Sequence, residues 1–306
     1  HPSTPIPYMA VGRIEDGQQL VVAFDLSTSK TSARLKLDVR LLPPLAMSPD
    51  GQYLAGLDET KAKILVYSIT AGERAAEVDV GVTLDYFDFA GPGQLVIVER
   101  PASQIRITLW EIAQKTTTAQ MVVDGDEGGM QLALSPGRRQ IALLKSGKLN
   151  IFGLEAGKPL GEISLPELGK GYSKEEFVGL SFSPDGSELA SLIRDKSRNY
   201  QIICWSVSDG EMVLTAELDN SNADSVSGVR DYQGWPLEWS PDGKSWLLFG
   251  HLLVDRTIGK IFWTVPPSSD YPRRMLHPDL MLGIGGRRSS LMLATAELPA
   301  EELKNS

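Results

Sequence analysis

Few residues of this 306-residue chain combine type and spacing in a way that could do chemistry. There are three histidines. His1 opens the chain and His277 precedes Pro278 in a predicted turn. His251 lies in a predicted loop near Asp255, the one His–carboxylate spacing worth weighing for acid–base work. Asp124-Gly125-Asp126-Glu127-Gly128 resembles a fragment of a calcium loop, but the third ligand position and the terminal bidentate Glu are missing, so it reads as a polar turn. Gly169-Lys170-Gly171-Tyr172-Ser173-Lys174 has the look of a phosphate loop without the Walker spacing or the strand-to-helix setting. Cys204 is the single cysteine, so no intramolecular disulfide can form. Beside Trp205 on an apolar run it reads as an inert core thiol. No Gly-x-Ser-x-Gly elbow occurs. These residues build neither a catalytic set nor a metal set, and we expect no enzyme activity, no cofactor and no metal site.

The elements that would position such residues repeat. Phe24, Tyr67, Trp110, Phe152, Trp205 and Trp263 each sit in a short apolar stretch, 43, 43, 42, 53 and 58 residues apart. A second series keeps step: Ser48-Pro49-Asp50-Gly51, Ala90-Gly91-Pro92-Gly93, Ser135-Pro136-Gly137, Ser183-Pro184-Asp185-Gly186, Ser240-Pro241-Asp242-Gly243 and Gly283-Ile284-Gly285-Gly286. Two markers in phase at this period predict an all-β repeat of four-stranded antiparallel units, the blades of a β-propeller.

One unit can be read strand by strand. Leu45-Ala46-Met47 is a short apolar strand. Ser-Pro-Asp-Gly follows as a turn: Pro presets φ, Asp bonds local backbone, and Gly accepts positive φ. Tyr53–Leu57 and Ile64–Ile69 are the second and third strands, rich in β-branched and aromatic residues. Arg74–Val80 alternates as a fourth, outer strand. The unit recurs through Leu132–Phe152, Leu180–Trp205 and Leu237–Trp263, so Ile261-Phe262-Trp263 is expected to be a third strand. This phrasing resembles the WD-repeat-like and TolB-like propellers, in which Ser-Pro-Asp-Gly-x-x-Leu-Ala joins the first two strands. The resemblance covers roughly residues 8 to 296. It departs from true WD repeats in having no Gly-His pair opening the blades and no Trp-Asp closing the third strand. What it implies is a scaffold used mostly for binding.

A ring of blades must close or leave open sheet edges. Tyr8–Val11 and Leu20–Leu26 read as second and third strands; Leu280–Leu282 and Ser290–Ala294 read as first and second strands. We therefore expect six blades with the two termini sharing the closing one, seven being the alternative. The domain boundaries follow: 1–7 is the Pro-rich end of a linker, with further sequence expected upstream, 8–296 is one propeller, and 297–306 is a C-terminal tail.

The two long intervals place extra residues in particular loops. Pro166–Glu176 and Asp219–Trp235 join a fourth strand to the next first strand; Arg194–Gln201 and Gly250–Lys260 join second to third strands. Propeller geometry puts both loop types on one face, so these insertions should form a raised rim, and insertions tend to mark the binding face of repeat proteins. The candidate partner-binding residues are Lys170, Tyr172, Lys174, Arg194, Lys196, Arg198, Tyr200, Arg230, Asp231, Tyr232, Trp235 and Arg256, a mixture rich in the Arg, Tyr and Trp of interface hot spots. The expected partner is a protein or peptide. The formal charge of −9 and the scattered Arg pairs speak against nucleic acid, and no apolar run reaches the ~18 residues of a membrane span. A single monomeric domain that is part of a larger protein is the resulting expectation. The alternative is an enzyme or sensor holding a small molecule or cation in the central channel.

Overall fold

The computed structural model describes residues 8–15, 18–25, 28, 30–125, 130–145, 147–165, 177–194, 199–218, 236–264, 273–277, 280–287 and 290–297. Among the described residues there are 26 strands, and no helix is long and apolar enough to cross a membrane. The chain divides into two compact units, one mainly Thr4–Glu127 and the other mainly Gly128–Ile151 and Leu160–Ser306.

The first unit holds three antiparallel sheets. β1 (Tyr8–Glu15), β2 (Gln18–Asp25) and β3 (Lys30–Lys36) form the first. β4 (Leu42–Met47), β5 (Tyr53–Leu57), β6 (Lys63–Ser68) and β7 (Glu73–Asp79) form the second. β8 (Thr83–Gly91), β9 (Gln94–Arg100), β10 (Gln104–Glu111) and β11 (Thr116–Asp124) form the third. The second unit holds the remaining four. β12 (Met130–Leu134), β13 (Gln140–Lys145), β14 (Lys148–Gly153) and β15 (Lys158–Ser164) form the fourth sheet. β16 (Phe177–Phe182), β17 (Glu188–Arg194), β18 (Tyr200–Ser206) and β19 (Met212–Glu217) form the fifth. β20 (Leu237–Trp239), β21 (Ser245–Leu248), β22 (Leu252–Asp255) and β23 (Ile261–Thr264) form the sixth. β24 (Arg273–His277), β25 (Leu280–Arg287) and β26 (Ser290–Glu297) form the seventh.

Strand composition follows position. The inner strands β5, β9, β13, β17 and β21 are apolar nearly throughout, because both of their faces are covered. Val21, Leu35, Leu54 and Tyr67 join the first sheet to the second. Ala55, Val66, Phe89 and Ile97 join the second to the third. Leu189 and Trp205 meet Ala142 and Ile151 between the fourth and fifth sheets, and Leu192 and Cys204 meet Trp246 and Val254 between the fifth and sixth. Each such side chain contributes roughly 1.5–3 kcal/mol of burial. Outer strands such as β3 and β19 alternate instead, with one edge in water.

The repeated turn has one chemical design. Ser48, Ser183 and Ser240 are buried. Their hydroxyls donate to Asp50, Asp185 and Asp242 at 2.6, 2.6 and 2.7 Å and accept the N–H of Tyr53, Glu188 and Ser245 at 2.8, 2.9 and 2.9 Å. Each Asp accepts one more backbone N–H, from Gln52, Ser187 and Lys244. The Asp residues therefore bond turn backbone, as their turn chemistry predicts. The bond from Ser183, followed by that from the Ser187 N–H, holds the Asp185 carboxyl below its ordinary 3.8. A depressed folded pKa contributes stability above the unfolded value and loses it as pH falls through the folded one. Wild type should therefore exceed Asp185→Asn in stability near neutrality, and the gap should close below pH 3.8. Urea titrations of both proteins across that window check this; a gap independent of pH would contradict it.

Two expectations are corrected. Trp263 does not stand on a third strand: β23, which carries it, is the outer strand of its sheet, and β22 is the third. The third strands slip register against the outer neighbour at a fixed place, between Ala23 and Phe24, Val66 and Tyr67, Leu109 and Trp110, Cys204 and Trp205, and Leu253 and Val254. Val254 thus occupies the position that is aromatic elsewhere. Secondly, Gly283-Ile284-Gly285-Gly286 is not a turn. It lies inside β25, paired with Ala294, Leu293, Met292 and Leu291 of β26, and Gly283 pairs with Arg273 of β24 as well. Among the described residues β1–β3 pair among themselves, as do β24–β26, and the described sheets number seven.

Candidate functional site

In the second unit the stems of three insertions leave the fifth and sixth sheets at a common end. Phe177 opens β16, Arg194 closes β17 opposite Tyr200 at the start of β18, and Leu218 follows β19. The Leu218 N–H donates to the Tyr200 carbonyl at 2.9 Å. Pro236, leading into β20, accepts from the Phe249 N–H at 3.1 Å. The stems of residues 166–176, 195–198 and 219–235 therefore converge. Of the expected partner-binding residues, Lys170, Tyr172, Lys174, Lys196, Arg198, Arg230, Asp231, Tyr232 and Trp235 lie outside the described residues, as does the Asp126–Gly128 part of the acidic turn.

Arg194 and Tyr200 are brought together at this end, Arg194 exposed and Tyr200 half-buried. The Tyr200 ring meets Phe249 edge-on, with centroids 5.4 Å apart at 71°. Phe249 and Gly250 form the two-residue turn from β21 to β22, with φ of 48° and 70°. Positive φ at both central positions is the hairpin turn that matches strand twist, and a bulky residue there is uncommon. His251 follows, only 2% exposed, its Nδ1 3.1 Å from the Phe249 carbonyl oxygen. Sequence reasoning missed Phe249 as the anchor of this end.

Arg256 stands at the other end of its sheet, because β22 runs the length of the sheet between Phe249 and Arg256. The expected loop Gly250–Lys260 is this strand and its two turns rather than an insertion. Arg256 takes the place of Ile69, Ile112 and Val207: in each case the backbone N–H donates to the residue just before or at the start of the second strand, Gln52, Gly93, Ser187 and here Lys244. Its guanidinium pairs with Glu188 of the fifth sheet and lies 6.0 Å from the Trp239 ring centroid. The other Glu188 oxygen is buried without a hydrogen-bond partner. Arg256→Met keeps the stem on Trp239 but strands the carboxylate, and should cost about 2 kcal/mol by urea denaturation. Adding Glu188→Gln should recover part of it; no recovery would remove the pair as the cause.

The same geometry separates the one acid–base candidate. Asp255 closes β22 at the end opposite His251 and accepts the N–H groups of Thr257 and Ile258 at 2.7 and 3.0 Å. Asp58, another possible inward carboxylate, bonds Thr60, Ala62 and Lys63 within its own loop. Burial, then the Glu188 carboxylate, push the Cys204 thiol up and away from reactivity. Among the described residues no group of three or more His, Cys, Asp or Glu is placed to hold a metal ion.

No family model and no curated protein matches the sequence. In fold, by contrast, 1190 solved chains match. One is the β-propeller domain of Myceliophteria thermophila Cps50 (Swd1), with a TM-score of 0.64 at 14% sequence identity, over 95% of this chain and 94% of that one. At this identity the likeness shows the fold, a β-propeller of antiparallel sheets.

Proposed function

We propose that this chain is a non-catalytic scaffold that binds a protein or peptide through the insertion-bearing end of its later blades. The observation that carries the reading is the convergence of three insertion stems around Tyr200 and the Phe249 turn, on a fold of which the Cps50 (Swd1) propeller is an example. A rigid sheet end that carries several loops rich in Tyr, Trp and Arg suits recognition of a macromolecular surface. One blade for each sheet gives seven, the alternative count from the sequence, with six and a shared blade as the other. The WD-repeat-like or TolB-like character of the repeat belongs to the same proposal.

The test is affinity capture from a lysate of the source organism, with wild type set beside a variant carrying Arg198→Glu, Tyr232→Ala and Trp235→Ala that melts like wild type. A partner held by wild type and lost by the variant supports the loop face. Equal capture moves the interface elsewhere. No partner, together with a thermal shift of several degrees on adding divalent cations or sugar acids, would replace the scaffold by the channel-binding alternative.

A further inference from the structure

A second surface in the fifth sheet is the edge of β19, which starts at the end opposite the insertion stems and runs to the stem at Leu218. β19 is the outer strand of that sheet and, among the described residues, pairs on one side only. Several outer strands are guarded against pairing with foreign strands by charge or proline. β3 carries Lys30, Arg34 and Lys36; β7 carries Glu73, Arg74, Glu77 and Asp79; β15 carries Pro159. β19 reads Met-Val-Leu-Thr-Ala-Glu, charged only at its last residue, Glu217. Met212 and Val213 at its start are 51% and 47% exposed, and as neighbours on a strand they face opposite sides of the sheet. β11 also lacks a cation, and β23 reads Ile-Phe-Trp-Thr with neither charge nor proline, but β19 has in addition a groove of about 420 Å³ at its start, lined by Val213 together with Ser187, Ser206, Val207 and Ser208.

Acids predominate at the start of this edge. Asp185 sits beside the groove, Asp209 and Glu211 form the turn into β19, and Glu217 ends it. Of the cations nearby, Arg256 is held by Glu188, and Lys260 follows Gly259 toward the far end of β19, at Ala216. A second copy of the chain would bring the same acids against these, in a molecule of net charge −9, so self-pairing is opposed by repulsion. We propose that the β19 edge and its groove form a strand-addition site for an extended basic peptide of a partner protein, main-chain bonds running along β19 and alternate side chains meeting Val213 and the acids. This surface is separate from the loop face and stands whether or not that face binds.

The probes are three labelled peptides: one of alternating Lys and Val, one of alternating Glu and Val, and the Lys–Val peptide N-methylated at alternate residues to block pairing. Fluorescence anisotropy with the whole chain should show the unmodified Lys–Val peptide binding at least tenfold tighter than either control. Met212→Lys with Val213→Lys should lose that binding tenfold while melting like wild type, since both sites are exposed. The loop-face variant should bind like wild type, so the two proposals fail separately. Equal binding of the N-methylated peptide would reduce the effect to charge and overturn strand addition. Unchanged binding by the double-Lys variant, or no saturable binding up to millimolar peptide, would overturn the site. Concentration-dependent self-association abolished by the same variant would assign the edge to a second copy and overturn the basic-peptide reading.

Discussion

Gly259→Ala should destabilise the protein by about 3 kcal/mol, a large loss for adding one methyl group. Two terms act together. Gly259 has φ of +65°, a conformation that costs an L-residue roughly 1–2 kcal/mol. Its N–H donates to the Asp255 carbonyl at 2.9 Å to close the β22–β23 turn, so the backbone cannot swing away without losing that bond. The added Cβ would also stand 2.8 Å from the Ala216 Cβ and 3.3 Å from its Cα, on β19 of the neighbouring sheet. Ala216 is buried in the core between these sheets, so the contact can be relieved only by moving one sheet from the other. Gly147 in the same unit supplies the control. It has φ of +75° with nothing within 4 Å of an added Cβ, so Gly147→Ala should show the strain alone. Urea midpoints of the two variants separate the terms. A Gly259→Ala, Ala216→Gly double variant should recover part of the gap. Equal losses at 259 and 147 would mean that the sheet-to-sheet contact carries no weight.

The Gly259 turn also shows what the sequence reveals and what it conceals. Ser-Pro-Asp-Gly was legible because four residues carry the whole turn: a buried hydroxyl, a fixed φ, a local carboxylate and a positive φ. The third-strand marker was less legible because the bulge fixes a position, not a residue type. Val254 fills it as Trp205 does, and the following Trp263 drew the strand assignment nine residues downstream. A better signal was present. Asp255-Arg256-Thr257-Ile258-Gly259 repeats the run Ser68–Gly72 and Ser206–Gly210, each ending on a positive-φ glycine whose N–H returns to the first residue. Glycines misled in the other direction at Gly283–Gly286, where pairing with β26 holds the run extended. The pair of Glu188 with Arg256 was out of reach, since 68 residues separate its members and only the packing of two sheets joins them. The loop residues were chosen by composition and spacing, and Arg256 left the set once β22 was seen to cross the sheet.

Phe249→Ala should cost about 3 kcal/mol, and Phe249→Gly about 1 kcal/mol less than that, reversing the rule that the smaller residue leaves the larger deficit. Phe249 is buried against Leu248, Leu252 and Tyr200, and truncation removes that packing in both variants. Its φ of 48° charges strain to every residue except glycine, so Gly recovers in backbone freedom part of what it loses in contact. Retention of an aromatic in a strained turn implies that its packing outweighs the strain. What it packs against is the end of β18, from which an insertion stem leaves. Tyr200→Ala should cost less in the Phe249→Ala background than in wild type, because the ring contact is already gone, whereas independent sites would add fully. Urea denaturation of these proteins checks both orders. If Ala proves more stable than Gly at 249, strain is absent and the turn is held by its neighbours alone. If Gly proves better while partner capture still falls, the ring rather than the turn supports the loop end, and the foot of the insertion face is a packed aromatic pair.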